Sequence, residues 1–142
     1  MHAAEFSEDP ADFGHYQCNA LLDQLDVQVQ REEWLLALAS HASFRQSTRE
    51  HFEAEEETLF PAFERSDMGS LGSTELMRAE HRRMSIMMEC MSGALAVRDV
   101  RAYLELSLQL RTLLVQHARK EDFLLEVLLG TRAPLKDHAI GS

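Results

Sequence analysis

Helix breakers are scarce in this chain of 142 residues: it holds three prolines and six glycines and clusters them only around Gly69 and Gly72. So thin a supply of turn formers gives strands no support and cuts the chain into a few long helices. Cysteine is scarce too. Cys18 and Cys90 make neither a disulfide framework nor a cysteine-rich zinc site, and a reducing compartment is expected. Basic residues number 14 against 24 acidic ones, for a formal net charge of −10. That balance argues against nucleic acid or an anionic membrane surface as a partner, since both recruit patches of Lys and Arg. No run approaches the roughly 20 apolar residues of a membrane span, and no basic segment leading into an apolar one opens the chain. A cytoplasmic protein is the expectation. A composition 45% hydrophobic and 27% charged suits one globular domain spanning residues 1–142, with helices over about 10–130 and short tails.

The few breakers set the helix boundaries. Asp9-Pro10 reads as an N-cap with proline in the first turn, after a frayed segment from Met1 to Glu8. The first helix then runs to a boundary near Arg31 to Glu33, and the second to about Glu64, with Pro61 kinking or ending its last turns. Ser66 to Ser73 is the one clear loop. The third helix is expected from about Thr74 to Val97, and the fourth from Val100 to Leu129, capped by Asp99 and stopped by Gly130. Apolar residues recur at alternating three and four spacing along each of these segments. The first gives Cys18, Leu22, Leu25 and Val29, and the second Trp34, Ala37, His41, Phe44 and Thr48. The third gives Met84, Met88, Met91 and Leu95, and the fourth Tyr103, Ser107, Leu110 and Leu114, then Leu125 and Leu128. These seams predict an all-α, up-down-up-down antiparallel four-helix bundle.

What the chain does have is a repeated set of donor residues. His15, His51 and Glu55 recur as His81, His117 and Glu121, every member displaced by one and the same interval (81 − 15, 117 − 51 and 121 − 55 are equal). Each His-Glu pair is spaced i, i+4, on one helix face a turn apart, and each has a lone histidine upstream at a matching distance (51 − 15 equals 117 − 81). All six lie on the apolar seams. With a turn centred near 32 and another near 99, a rise of about 1.5 Å per residue brings His15 level with His51, and His81 with His117, within roughly 3 Å. The join between hairpins is less even: His51 stands much farther before Ser66 than His81 does after Ser73, an offset left to Pro61 and the loop.

Imidazole with carboxylate suits iron, manganese or zinc. Four imidazoles and two carboxylates are too many for one tetrahedral zinc and suit two octahedral ions bridged by Glu55 and Glu121. Each ion would then take two histidines and an oxo or hydroxo bridge, with one position left for water, O2, peroxide or NO. The metal-free alternative, His and Glu paired with each other, buries many polar groups at a cost of several kcal/mol. Ferritin-like bundles are disfavoured, since they use Glu-x-x-His spacing.

The run His51-Phe-Glu-Ala-Glu55-Glu56-Glu-Thr-Leu-Phe-Pro61, then Glu80-His81, then His117-Ala-Arg-Lys-Glu121-Asp122, resembles the hemerythrin-like HHE domain, from about Ala11 to Leu129. The resemblance implies two iron ions in a non-haem centre, with His15, His51, His81 and His117 as imidazole ligands and Glu55 as a bridge. For the second bridge the oxygen carriers point to Asp122, while the repeat and the relatives that repair iron centres point to Glu121, which is preferred. Oxygen carriers have another histidine one turn from His81, where this chain has Met77 and Ser85. A four-histidine set is more like the repair and NO-responsive members, although those commonly carry an extra cysteine-containing domain. The function expected is to bind or reduce a small oxidant, NO, O2 or peroxide, in sensing, scavenging or stress response, with an electron donor the sequence does not name. Storage or donation of iron, and simple reversible O2 binding, are the alternatives.

The remaining polar residues have plainer readings. His41 is expected as a hydrogen-bonded core histidine, Cys18 as a small buried hydrophobe, and the methionine seam as gap filling. His2 and His138 are expected in solvated tails. Glu56 and Asp122 are either partners of the ligands or surface acids, and Tyr16 and Tyr103 are candidate redox neighbours.

Overall fold

The computed structural model describes residues 10–66 and 72–130, with side chains from residue 18 onward. The readings of the His15 and Tyr16 side chains, the frayed start, most of the loop after Ser66, and His2 and His138 lie outside the described residues. Helix α1 spans Pro10–Gln30 and α2 spans Trp34–Ala54; α2 continues through a π-helical turn, Glu55–Leu59, into the short α3, Phe60–Glu64. Then follow α4, Ser73–Ala96, and α5, Val100–Leu129. Among the described residues there is no strand, and no helix is long and apolar enough to cross a membrane. The all-helical architecture agrees with a helical bundle: α1 packs on α2, α4 on α5, α1 on α5 and α2 on α4.

The two short connections are copies of one motif. Glu32 and Arg98 both adopt a left-handed conformation with φ of 57°, and they too are separated by the interval of the donor repeat (98 − 32). In the first, the Glu32 amide donates to the Val29 carbonyl and the Glu33 amide to Gln28, each at 2.9 Å. In the second, the Arg98 amide donates to Leu95 and the Asp99 amide to Ala94, at 3.1 and 2.9 Å. This pair of bonds satisfies carbonyls that a helix end leaves orphaned. Asp99 then caps α5 by accepting from the Ala102 amide at 3.0 Å, whereas Glu33 makes no such bond to α2. Gly130, at φ 77°, ends α5.

Pro61 lies one turn before the end of its helix, which runs on to Glu64. It sits in the first turn of α3, directly after the π turn, in which the Phe60 amide reaches back five residues to the Glu55 carbonyl. Proline has no amide hydrogen, and its ring collides with the carbonyl four residues back in an α-helix. Wider hydrogen bonding just upstream relieves that collision, so the helix carries on.

Packing follows the seams. Leu22, Leu25 and Val29 of α1 join Phe44 and Phe52 of α2, Met84, Met88, Met91 and Leu95 of α4, and Tyr103 and Leu110 of α5 in the main core. A second apolar cluster holds Phe60, Phe63, Met77 and Leu124. On α4 and α5 the His and Glu residues of the repeat fall between these clusters, as does Glu55 after α2, while His51 adjoins Phe52 of the main core. After Glu121 the seam differs from expectation: Leu124 is fully buried, while Leu125 and Leu128 are half-buried. After Glu121 the inward face continues by a step of three, and two adjacent leucines leave the pattern unable to choose.

Polar cross-links tie the helices further. Asp26 of α1 accepts from the Tyr103 hydroxyl at 2.7 Å, the Ser107 hydroxyl at 2.8 Å and the Arg111 guanidinium at 2.8 Å. His41 of α2 is a buried core histidine, its Nε2 donating to the Met88 carbonyl at 3.1 Å beside the Ser92 hydroxyl at 2.9 Å. Glu64 accepts from Thr74 at 2.6 Å and from Arg78 at 2.7 Å.

Candidate metal centre

Glu55, the first residue of the π turn, is the hub. Its side chain is buried, and three imidazoles from three helices meet it. Oε2 lies 2.6 Å from Nε2 of His51, one turn earlier on α2. Oε1 lies 2.7 Å from Nε2 of His81 on α4 and 3.0 Å from Nε2 of His117 on α5. The two latter nitrogens are themselves 3.0 Å apart. Glu121, fully buried, places Oε2 3.6 Å from the His51 Nε2, while its neighbour Asp122 is exposed. Each carboxylate of the repeat thus reaches across to a histidine of the other half.

Burial opposes a charge on Glu55, but hydrogen bonds with His117, His51 and His81 outweigh it and hold the carboxyl far below the usual range. Burial likewise opposes a proton on His51, and the bond to Glu55 overrides it, so that imidazole titrates above its ordinary value. The Glu55 charge and the His51 proton thus support each other across their hydrogen bond.

The far sides of two rings are also held. Nδ1 of His81 is 2.6 Å from Oε2 of Glu56, and Nδ1 of His117 is 2.9 Å from Oε1 of Glu80, whose other oxygen pairs with Lys120. The Phe52 ring stacks on His81 with centroids 3.9 Å apart and planes within 11°, and Phe60 lies against the same imidazole at 5.4 Å.

These contacts test whether a cation fits. A carboxylate only accepts, so Glu56 and Glu80 place the ring protons on Nδ1 and leave lone pairs on both Nε2 atoms. In the neutral rings, two Nε2 lone pairs and Glu55 Oε1 then converge with no donor among them. A cation at their centre resolves that conflict, and histidine with carboxylate is the donor set of such ions. Among the described residues, two groups of donor atoms lie close enough to hold an ion: Glu55, His81 and His117, and His51, Glu55 and Glu121, in each case within 4.8 Å of one another. They share Glu55.

Two cavities among the described residues are lined by residues of the site. A cavity of about 500 Å³ is lined by Arg49, Phe52, Glu56, His81, Arg82 and Ser85, among others. A smaller one of about 180 Å³ is lined by Cys18, His51, Leu114, His117 and Asp122, among others. Cys18 is buried, with Sγ 3.4 Å from the Thr48 hydroxyl. The Tyr103 hydroxyl donates to Asp26.

Five of the six residues expected from the repeat are brought together: His51, Glu55, His81, His117 and Glu121. The sixth, His15, lies on α1 with its side chain outside the description. Sequence reasoning gave Glu80 no role and left Glu56 undecided. Glu80 had a signal only in retrospect, as the acid adjoining a ligand-type histidine. The π turn had one in Pro61.

A helical protein with buried, convergent imidazoles and carboxylates belongs to the class that holds metal cations between its helices. The model of the hemerythrin HHE cation-binding domain matches residues 12–129, and the chain belongs to that family. Its members bind metal cations, and this chain has the His and Glu clusters to do so. No curated protein and no solved structure gave a match.

Proposed function

We propose that the chain is a non-haem di-iron protein that binds or reduces a small oxidant, NO, O2 or peroxide, in sensing, scavenging or stress response. The observation that carries this is the pair of donor groups sharing Glu55. In this reading His81 and His117 would hold one ion and His15 and His51 the other, with Glu55 and Glu121 as the carboxylates shared between them. When bound, the iron pair supplies electrons and open coordination positions for the oxidant. The protein's own groups keep the ions together, exclude bulk water and admit small molecules through the two cavities.

The contact register supports an up-down-up-down bundle in one domain. Cys18 meets Thr48, three residues after His15 and three before His51, which is the level pairing of antiparallel helices. His41 meets Met88 and Ser92 while Glu55 meets His81, so α2 and α4 also run opposite ways. Met77 is buried between Phe60, Phe63 and Leu124, and Ser85 is exposed beside the larger cavity. With no histidine at either position, the reading favours a reactive centre over a reversible oxygen carrier. A net charge of −10 favours a small oxidant and an electron donor as partners rather than nucleic acid or an anionic membrane surface, and the proposed location is the cytoplasm.

Metal analysis with an anaerobic spectrum tests the proposal. Protein produced with iron should carry about two ions per chain, and Glu55→Ala should lose both. Removing metal should lower Tm clearly, and His51→Ala or His117→Ala should mimic much of that fall. The reduced protein should bind NO and be oxidised by O2 within a few turnovers. Saturation with one zinc and no iron uptake overturns the dinuclear reading; repeated O2 uptake and release without oxidation makes oxygen binding the function.

A further inference from the structure

We propose that Glu56 and Glu80 are positioning residues that set the tautomer and orientation of His81 and His117 for metal binding, a proposal that rests on the metal-centre reading above. Each carboxylate sits on Nδ1 of an imidazole whose Nε2 faces Glu55, at 2.6 Å for Glu56 and 2.9 Å for Glu80. Neither is placed to hold the ion itself, since each lies across the ring from the convergent atoms. A charged acceptor on Nδ1–H does two things to a ligand histidine: it fixes the lone pair on Nε2, and it makes that nitrogen a stronger base toward a cation.

Both carboxylates are placed by features that surface acids do not need. Glu55 and Glu56 are consecutive, yet they grip the two nitrogens of one ring, Oε1 of Glu55 at 2.7 Å from Nε2 and Oε2 of Glu56 at 2.6 Å from Nδ1. Neighbouring side chains on an α-helix diverge too widely for that. The π turn that begins at Glu55 has more residues per turn and so a smaller angle between successive side chains. Phe52, stacked on the ring, fixes the plane in which both bonds are made. Glu80 adjoins His81 on α4 but serves His117 on α5, and Lys120, three residues beyond His117, holds its second oxygen. Glu80 is therefore a brace between helices, with only 13% of its side chain exposed.

Zinc alone serves as probe, being redox-inert and diamagnetic. Affinity is measured by competition with a chromophoric chelator, and the imidazole tautomers by proton–nitrogen spectra of protein labelled at histidine. Wild type should show two Nδ1–H groups protected from exchange. Glu56→Ala and Glu80→Ala should each weaken zinc binding by about 10–100-fold and expose one of these protons to exchange. Glu56→Gln and Glu80→Gln, which keep an acceptor without its charge, should lose about 3–10-fold and keep the proton protected. The glutamine variants carry the test if an alanine variant fails to fold. Glu53→Ala, an exposed acid lining the same cavity as Glu56, should leave both readouts unchanged. Unaltered affinity and protection in the Glu56 and Glu80 variants, or an equal loss in Glu53→Ala, overturns the positioning role and leaves the metal centre standing. Failure of wild type to bind zinc or iron overturns both.

Discussion

Replacing Asp26 with alanine removes the one acceptor at which three side chains of α5 converge, and the cost can be worked out donor by donor. The Tyr103 hydroxyl, 2.7 Å from Asp26 Oδ1, and the Ser107 hydroxyl, 2.8 and 3.0 Å from the two oxygens, belong to fully buried residues. Each buried donor stripped of its acceptor costs about 1–3 kcal/mol. Ser107 falls at the low end, because a helical serine can turn to the carbonyl four residues back. Arg111 keeps its pairing with the exposed Asp23 at 2.7 Å and loses little. The expected total is about 3 kcal/mol, a large part of a domain stability of about 5–15 kcal/mol. At roughly 2–4 °C per kcal/mol for a chain of this size, Tm should fall by about 10 °C. Urea unfolding of Asp26→Ala, Tyr103→Phe and the double variant forms a cycle, in which Tyr103→Phe costs about 1 kcal/mol alone and almost nothing once Asp26 is gone. A second readout is spectroscopic. Burial and the Asp26 charge push the Tyr103 hydroxyl well above the ordinary tyrosine range, so its ionisation should move to lower pH in Asp26→Ala. Additivity within about 0.5 kcal/mol, or a cost for Asp26→Ala below about 1 kcal/mol, refutes the reasoning.

Burial holds the His41 pKa below its ordinary value of 6.5, with the Met88 carbonyl offsetting part of the effect and Arg45 adding to it. The folded protein therefore refuses a proton that the unfolded chain accepts, so His41 costs nothing well above pH 6.5 and loses stability as pH falls below it, by up to about 1.4 kcal/mol per unit. Compared with His41→Gln, wild type should lose stability progressively as pH falls through 6.5 in paired denaturant titrations; a constant difference contradicts this. Pro61→Ala restores an amide able to bond four residues back, which should return residues 55–59 to α hydrogen bonding and turn Glu56 away from His81. Zinc affinity should then fall much as in Glu56→Ala, and the double variant should be no worse than either single one; additive losses refute the link.

Internal redundancy made most of the fold and much of the candidate centre legible in the sequence. The repeat interval, read first from six donor residues, also separates the left-handed turn residues Glu32 and Arg98, so the repeat extends to backbone conformation. The seams of the main core were legible because one stripe on each helix keeps the three and four spacing, while apolar residues off it, such as Leu36, Leu38, Ile86 and Leu108, are exposed. Legibility failed where the deciding fact is a partner on another helix. Asp26 lies between Leu25 and Val29 and reads as surface. Yet Tyr103, Ser107 and Arg111 form a stripe of donors four residues apart on α5, and a buried stripe of donors calls for an acceptor opposite. That signal was present and unused.

The duplication also explains which parts of the site differ between halves. Glu56 and Asp122 are equivalent positions of the repeat (122 − 56), each following one of its carboxylates, and they end in different places: Glu56 on the Nδ1 of His81, Asp122 exposed. The same interval sets Pro61 against Val127 (127 − 61). Valine keeps its amide and lets α5 run as α-helix through Leu129, whereas proline imposes the π turn on the first half. Regular α geometry sends Glu121 inward and Asp122 out; the π turn lets Glu55 and Glu56 serve one ring together. A single proline thus helps to divide two copies of the same ligand motif into unlike halves: the His and Glu of the repeat are the same in both, while the backbone hydrogen bonding differs, and so does the acid after each carboxylate, Glu56 in one half and Asp122 in the other.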